Sequence, residues 1–217
     1  MSIRSHEQRS GASKSQLSVD RGNVIWLTGL SGSGKSTLAR SLENALSMRG
    51  MATYVLDGDL MRQSLNKDLG FSDADHAENV RRIGEVAGLF ADAGLIVIVA
   101  CIVPFACDRV LLRELLDDYD YMEVFVDCPI DVCSQRDPSG LYDKAARGLV
   151  AQVAGLDGTH ETPGSPDLHL RTHLTSPEAC LDALLESLAL RTSLFQQVRM
   201  AQPIVGKREG LPEEHQN

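Results

Sequence analysis

Between residues 22 and 190, short runs of apolar, mostly β-branched residues alternate with longer segments in which apolar positions return every three or four residues. Four of the short runs are nearly continuous in apolar character, as strands buried on both faces require: NVIWLT (Asn23 to Thr28), ATYVL (Ala52 to Leu56), LIVIVAC (Leu95 to Cys101) and MEVFVD (Met122 to Asp127). DLHLRT, Asp167 to Thr172, is a weaker fifth. The longer segments predict helices. One runs from the glycine-rich turn at Gly29 to Arg49, with Leu38, Leu42, Ala45 and Leu46 on one face and Gly50 as its stop. A second spans about Glu78 to Ala93, a third follows Pro104, and a last begins near Ser176, where SPEA supplies a cap, a first-turn proline and an acidic residue. Strand and helix in alternation predict an α/β fold: a parallel sheet of about five strands flanked by helices.

The ends lack this pattern. Residues 1–21 are rich in Ser, Gly, Arg and Gln, and residues 191–217 are polar with Pro and Gly, so neither buries enough surface to offset the entropy of ordering. They are expected as a flexible arm and a polar tail around one domain at 22–190. Within that domain, residues 137–166 form a long, glycine-rich, only partly helical segment. In a nucleotide enzyme the natural role of such a segment is a lid that excludes water.

Composition narrows the partners. A formal net charge of -9 opposes general affinity for nucleic acid or anionic lipid, and no run approaches the length of a membrane span. The polar start has no apolar core of the secretory kind, and five cysteines, mostly inside apolar runs, read as reduced thiols; a cytoplasmic location is expected.

GLSGSGKS, Gly29 to Ser36, fits G-x-x-x-x-G-K-[ST] at every fixed position, after a β-branched run and before an amphipathic one, the context of a P-loop. Gly29, Gly32 and Gly34 allow the bend that turns the amides of Leu30, Ser31, Ser33 and their neighbours inward, and the following helix start adds partial positive charge. Lys35 brings a compact charge to the outer phosphates of ATP, the Ser36 hydroxyl is suited to Mg²⁺, and Thr37 extends the phosphate-binding turn. At the carboxyl end of the second strand, Asp57 and Asp59 suit the metal and acceptance of a proton from an attacking hydroxyl. Water is the weaker candidate for that attacker. NKDL at Asn66 lacks the aspartate of a guanine-reading motif, whereas a lid over a polar block after Asp59 is what a small kinase needs to keep water out.

GLSGSGKST, LDGDLMRQSLNKDLGFSDADHAENVRRIGEVAGLFADAGLIVI, PFACDR, EVFVDCP and RDPSGLYDKA together resemble adenylylsulfate kinases, from about Gly22 to Leu170. The resemblance implies a P-loop kinase, usually a homodimer, that moves the γ-phosphate of MgATP to the 3′-hydroxyl of adenylylsulfate. It implies Asp59 and Arg62 at the acceptor nucleotide, Phe71 stacked on its adenine, and Asn79 and Arg82 on its base or phosphate. It also implies Ile102, Lys144 and the residue at position 76 against the acceptor, and Arg136 against the ATP adenine.

Several acceptor-side positions depart from the family pattern. His76 stands where an arginine is usual, and Val103 where a serine is usual. Ser139 and Asp143 replace lysines, Leu149 an acidic residue, and Val153 the second aromatic of the adenine sandwich. Two enzymatic readings therefore stand side by side, adenylylsulfate kinase and a paralogue acting on another hydroxyl acceptor, with a silent nucleotide-binding protein as the third.

Overall fold

A computed structural model describes residues 22–191. The arm expected at 1–21 and all but the first residue of the tail expected at 191–217 lie outside them. The strands are β1 (Asn23–Thr28), β2 (Thr53–Asp57), β3 (Ile96–Ala100), β4 (Asp120–Asp127) and β5 (Leu168–Arg171). They form one parallel sheet in the order β2-β3-β1-β4-β5. The helices are α1 (Lys35–Ser47), α2 (Gly58–Gln63), α3 (Asp73–Asp92), α4 (Ala106–Leu115), α5 (Ile130–Arg136), α6 (Leu141–Ala146) and α7 (Pro177–Arg191).

Both faces of the sheet are covered at its centre, which is why β1 and β3 are buried throughout, whereas the edge strand β5 alternates exposed His169 and Arg171 with Leu168 and Leu170. Ile25 and Leu27 of β1 point to one side and pack with Leu38, Leu42 and Leu46 of α1 and Leu184 and Leu188 of α7. Val24 and Trp26 point to the other and meet Val80, Ile83 and Ala87 of α3 and Leu112 of α4. The Trp26 indole donates to the Cys101 carbonyl at 3.2 Å, so its polar edge is satisfied inside the core. Truncating a fully buried leucine such as Leu42 in such a layer costs about 2–5 kcal/mol.

Helix boundaries differ from the hydrophobic pattern where side chains cap. The second expected helix starts five residues before Glu78, at Asp73, because Ser72 and Asp75 form a reciprocal capping box. The Ser176 hydroxyl accepts the Ala179 amide at 3.2 Å, which sets the start of α7. Glu123 of β4 is buried and paired with Arg113 at 2.8 Å, and Arg113 reaches Asp167 at 3.3 Å, tying α4 to the entry of β5.

Candidate active site

Because all five strands are parallel, their carboxyl ends meet along one edge, and a cavity of ≈ 910 Å³ opens there. The turn after β1 approaches other backbone so closely that side chains are excluded. A Cβ on Gly29, at φ +146, would lie 2.2 Å from the Val126 carbonyl oxygen, and one on Gly32, at φ +77, would lie 2.6 Å from that of Cys133. Ser31, Gly32, Gly34, Lys35, Ser36 and Thr37 line the cavity, and Gly29, Leu30 and Ser33 do not. Helix α1 starts with no acidic residue in its first turn and no side-chain cap, leaving its amides and dipole to an anion.

Lys35 is buried, and its Nζ donates to the Leu30 carbonyl at 2.7 Å. Burial holds its pKa below the ordinary lysine value, opposed in part by the carboxylates of Asp59 and Asp57. Beside it, the Ser36 hydroxyl donates to Asp57 Oδ2 at 2.6 Å. Asp57 also caps α2, taking the Asp59 amide on Oδ1 at 3.0 Å. That cap sets where the Asp59 carboxylate stands: it lines the cavity and has no side-chain hydrogen bond among the described residues. Asp57 itself is turned to Ser36 and does not line the cavity.

Arg62, Phe71, His76, Asn79, Ile102 and Lys144 line the same cavity. Phe71 is 42 % exposed, so it is no core phenylalanine. The Arg62 guanidinium sits 4.8 Å from its ring centroid, donates to the Gly70 carbonyl at 2.7 Å, and meets His76 Nδ1 at 3.3 Å. Burial, and then Arg62, hold the His76 pKa below the ordinary histidine value, which favours the neutral ring beside the guanidinium. Arg82 is placed differently from the expectation. It lies outside the cavity lining, its guanidinium bound to both carboxylate oxygens of Asp68, at 2.8 and 3.0 Å, and to Glu78 at 2.8 Å. These contacts tie the α2–α3 connection to α3.

Arg136 lines the cavity while donating to the carbonyls of Gly32 and Thr172, at 3.3 and 3.1 Å. Two residues that the pattern of the sequence did not single out complete this grip on the turn. Thr172 donates its hydroxyl to the Ser33 carbonyl at 2.7 Å, and Tyr142, from the segment 137–166, donates to the Ser31 carbonyl at 2.9 Å. Both are ordinary polar residues in sequence, and only the chain's return past the turn gives them a role.

Of the positions that depart from the family pattern, His76, Ser139 and Val153 line the cavity. Val103 is a core residue whose amide donates to Thr28 Oγ1 at 3.1 Å, Asp143 pairs with Arg147 at 2.9 Å, and Leu149 is exposed. None of those three lines the cavity.

The segment 137–166 is fastened at its far end. The Glu161 amide donates to the Pro104 carbonyl at 2.8 Å and its carboxylate accepts the first amide of α4, while the His160 ring packs on Phe125 with centroids 6.5 Å apart. His160 Nε2 is buried without a partner among the described residues. Burial first, then the charges of Arg109 and Lys35, against the opposing pull of Asp127, press its pKa down to about 4. A depressed imidazole pKa means that the unfolded chain takes the proton first, so this contribution is complete above about pH 6.5 and is lost as pH falls towards 4. The loss is on the order of 2 kcal/mol for a partly exposed ring. His160→Gln should flatten the fall of melting temperature between those pH values, and thermal melts across the range check it; an unchanged slope would place the acid sensitivity elsewhere.

Against known proteins, the family model described as adenylylsulphate kinase matches residues 21–171. The bifunctional enzyme NodQ of Rhizobium sp. (strain BR816) is 50% identical over 166 residues, 76% of this chain and 26% of that protein. The chain thus spans about a quarter of the length of the curated relatives it matches. Among solved structures, Mycobacterium tuberculosis APS kinase CysC in complex with AMPPNP and APS is 45% identical, with a TM-score of 0.74 over 77% of this chain and 98% of that one. The hexameric APS kinase from Thiobacillus denitrificans is 30% identical, with a TM-score of 0.59 over 78% of this chain and 29% of that one. Among the described residues no helix is long and apolar enough to cross a membrane.

Proposed function

The chain belongs to the adenylylsulfate kinase family, and on that premise we propose that it transfers the γ-phosphoryl group of ATP to the 3′-hydroxyl of adenylylsulfate, giving 3′-phosphoadenylylsulfate. The observation that carries this reading is one cavity lined by both a glycine-rich turn with Lys35 and Ser36 and an aromatic and guanidinium pair, Phe71 and Arg62, with Asp59 between them in the chain. In this reading the amides of Ser31 to Thr37 and the Lys35 ammonium hold the β- and γ-phosphates. Phe71 stacks on the acceptor base, a contact worth about 1–3 kcal/mol. Asp59 takes the proton of the hydroxyl as its oxygen bonds to the γ-phosphorus, and the bridging oxygen leaves with ADP. Arg136 stays with the ATP base, and the segment 137–166 keeps water from competing.

Mg²⁺ fits the same site. The close Ser36 hydroxyl and Asp57 carboxylate form a pair of hard oxygen donors beside the phosphate turn. No set of three or more acidic, histidine or cysteine ligands occurs among the described residues, which suits an ion held chiefly by phosphate and water. Bound there, the ion would supply charge neutralisation on the outer phosphates. Self-association as a homodimer belongs to the same proposal, and the particle mass in solution measures it.

A second reading has its own support: His76, Ser139 and Val153, three departures from the family pattern, line the cavity, which favours a different acceptor served by the same mechanism. The silent reading has the intact set of Lys35, Ser36, Asp57 and Asp59 against it. The deciding experiment supplies purified protein with MgATP and a panel of hydroxyl compounds, adenylylsulfate included, and follows ADP release. Release that depends on adenylylsulfate is expected. Release with another acceptor only would establish the second reading, and release with none would establish the third.

A further inference from the structure

Asn66 lies in the connection between α2 and α3, is fully buried, and is not part of the cavity lining. Its main chain is fixed: the amide donates to the Met61 carbonyl at 2.8 Å and the carbonyl accepts the Leu69 amide at 3.1 Å. Its side-chain Nδ2 donates to Asn79 Oδ1 at 2.9 Å. Asn79, on α3, is also buried but does line the cavity, and its own Nδ2 has only a long contact of 3.5 Å to the Cys101 thiol. A thiol is a weak acceptor, so this donor remains largely unspent.

A primary amide has one oxygen and two N–H donors, and which of them faces a ligand depends on what holds the other end. Here the oxygen is occupied by Asn66. We infer that Asn66 is a positioning residue that sets acceptor specificity: it turns the Asn79 amide so that the cavity meets N–H donors, selecting a bound molecule that offers a lone pair there, such as a heteroaromatic ring nitrogen or an oxyanion. The inference rests on the reading of this cavity as the acceptor site. It also accounts for Arg82, whose paired contacts with Asp68 hold the same connection against α3 and keep Asn66 in register.

Asn66→Asp tests the orientation at a pH high enough to ionise the new, buried side chain, because a carboxylate only accepts whereas the protonated acid could still donate to Asn79 Oδ1. Asn79 must then turn its Nδ2 to residue 66 and present oxygen to the cavity. The expected result, with adenylylsulfate as probe and ADP bound, is a dissociation constant raised at least about tenfold, with ATP affinity changed less than about twofold. Asn66→Ala, which frees the amide without inverting it, should raise it by less. Neither substitution should have a further effect in an Asn79→Ala background, since the action runs through that amide. Equal losses of ATP and adenylylsulfate affinity, or the same loss with Asn79 already removed, would overturn the inference and mark Asn66 as structural only. Should Asn66→Asp fail to fold, the Asn66→Ala cycle carries the same decision. One arm needs no acceptor: the Asn66 side-chain amide protons should exchange slowly in the chain alone and faster in Asn79→Ala. Fast exchange in the unmodified chain overturns the orientation, whereas slow exchange with no adenylylsulfate binding would count against the acceptor assignment and not against Asn66.

Discussion

Lys35→Ala should lower the rate of ATP turnover by at least about a thousandfold, the scale on which a preorganised group stabilising the transferred charge acts. The ammonium sits buried with one carbonyl partner, that of Leu30, and burial holds its pKa down. A buried cation so lightly compensated gains strongly from an arriving polyanion, and among the described residues no other lysine lines the phosphate turn; Lys144 stands with the segment 137–166. Alanine is compatible with the first turn of α1 and leaves the anchoring contacts of Thr172 and Tyr142 in place, so the variant should fold. Lys35→Arg should fail as well, because a larger planar head cannot take the place of Nζ against Leu30. Initial rates of ADP release, with melting temperature as the folding control, measure both. Turnover near the wild-type rate in Lys35→Ala would show that phosphate is bound elsewhere.

Asp59→Asn should separate binding from transfer. Transfer should fall by about 10²–10⁴, the usual worth of a positioned general base, while ATP affinity stays within about twofold. The structure explains why the separation should be clean. Asp59 takes part in the cap of α2 through its amide, which the substitution keeps, and its carboxylate has no hydrogen-bonding duty among the described residues. Asp57→Asn should behave differently, because Asp57 is engaged by the Ser36 hydroxyl and the cap at once. That variant should lose magnesium-dependent ATP binding as well as rate. Calorimetric titration with MgATP and a single-turnover assay distinguish the two aspartates, and identical behaviour of both variants would defeat the division of roles.

Much of the site was legible in the chain because its chemistry is local. The P-loop spacing carries its own geometry, and the neighbouring strands announce themselves by uninterrupted apolar runs. Phe71, His76, Asn79 and Ile102 could be proposed for the cavity through the family pattern, and they do line it. Arg82 has the same standing as Asn79 in sequence order, three residues away on α3, but only Asn79 lines the cavity. Three residues is close to one helical turn, yet the Asp68 carboxylate captures the guanidinium before it can reach the cavity. The early start of α3 was available in the Ser72 and Asp75 spacing, whereas α2, α5 and α6 are too short for an apolar period to register.

By itself the sequence determined the α/β class, the strand segments and the phosphate turn, since each depends on residues adjacent in the chain. Only the tertiary structure decided that Thr172, Tyr142 and Arg136 grip that turn, that Val103 belongs to the core, and that Asn66 donates to the amide oxygen of Asn79. Those contacts join residues distant in sequence, and their partners are chosen by how the sheet is ordered and how the connections return across its carboxyl edge. A linear pattern specifies which face of an element is apolar; which polar group that face carries to which neighbour is settled when the layers pack.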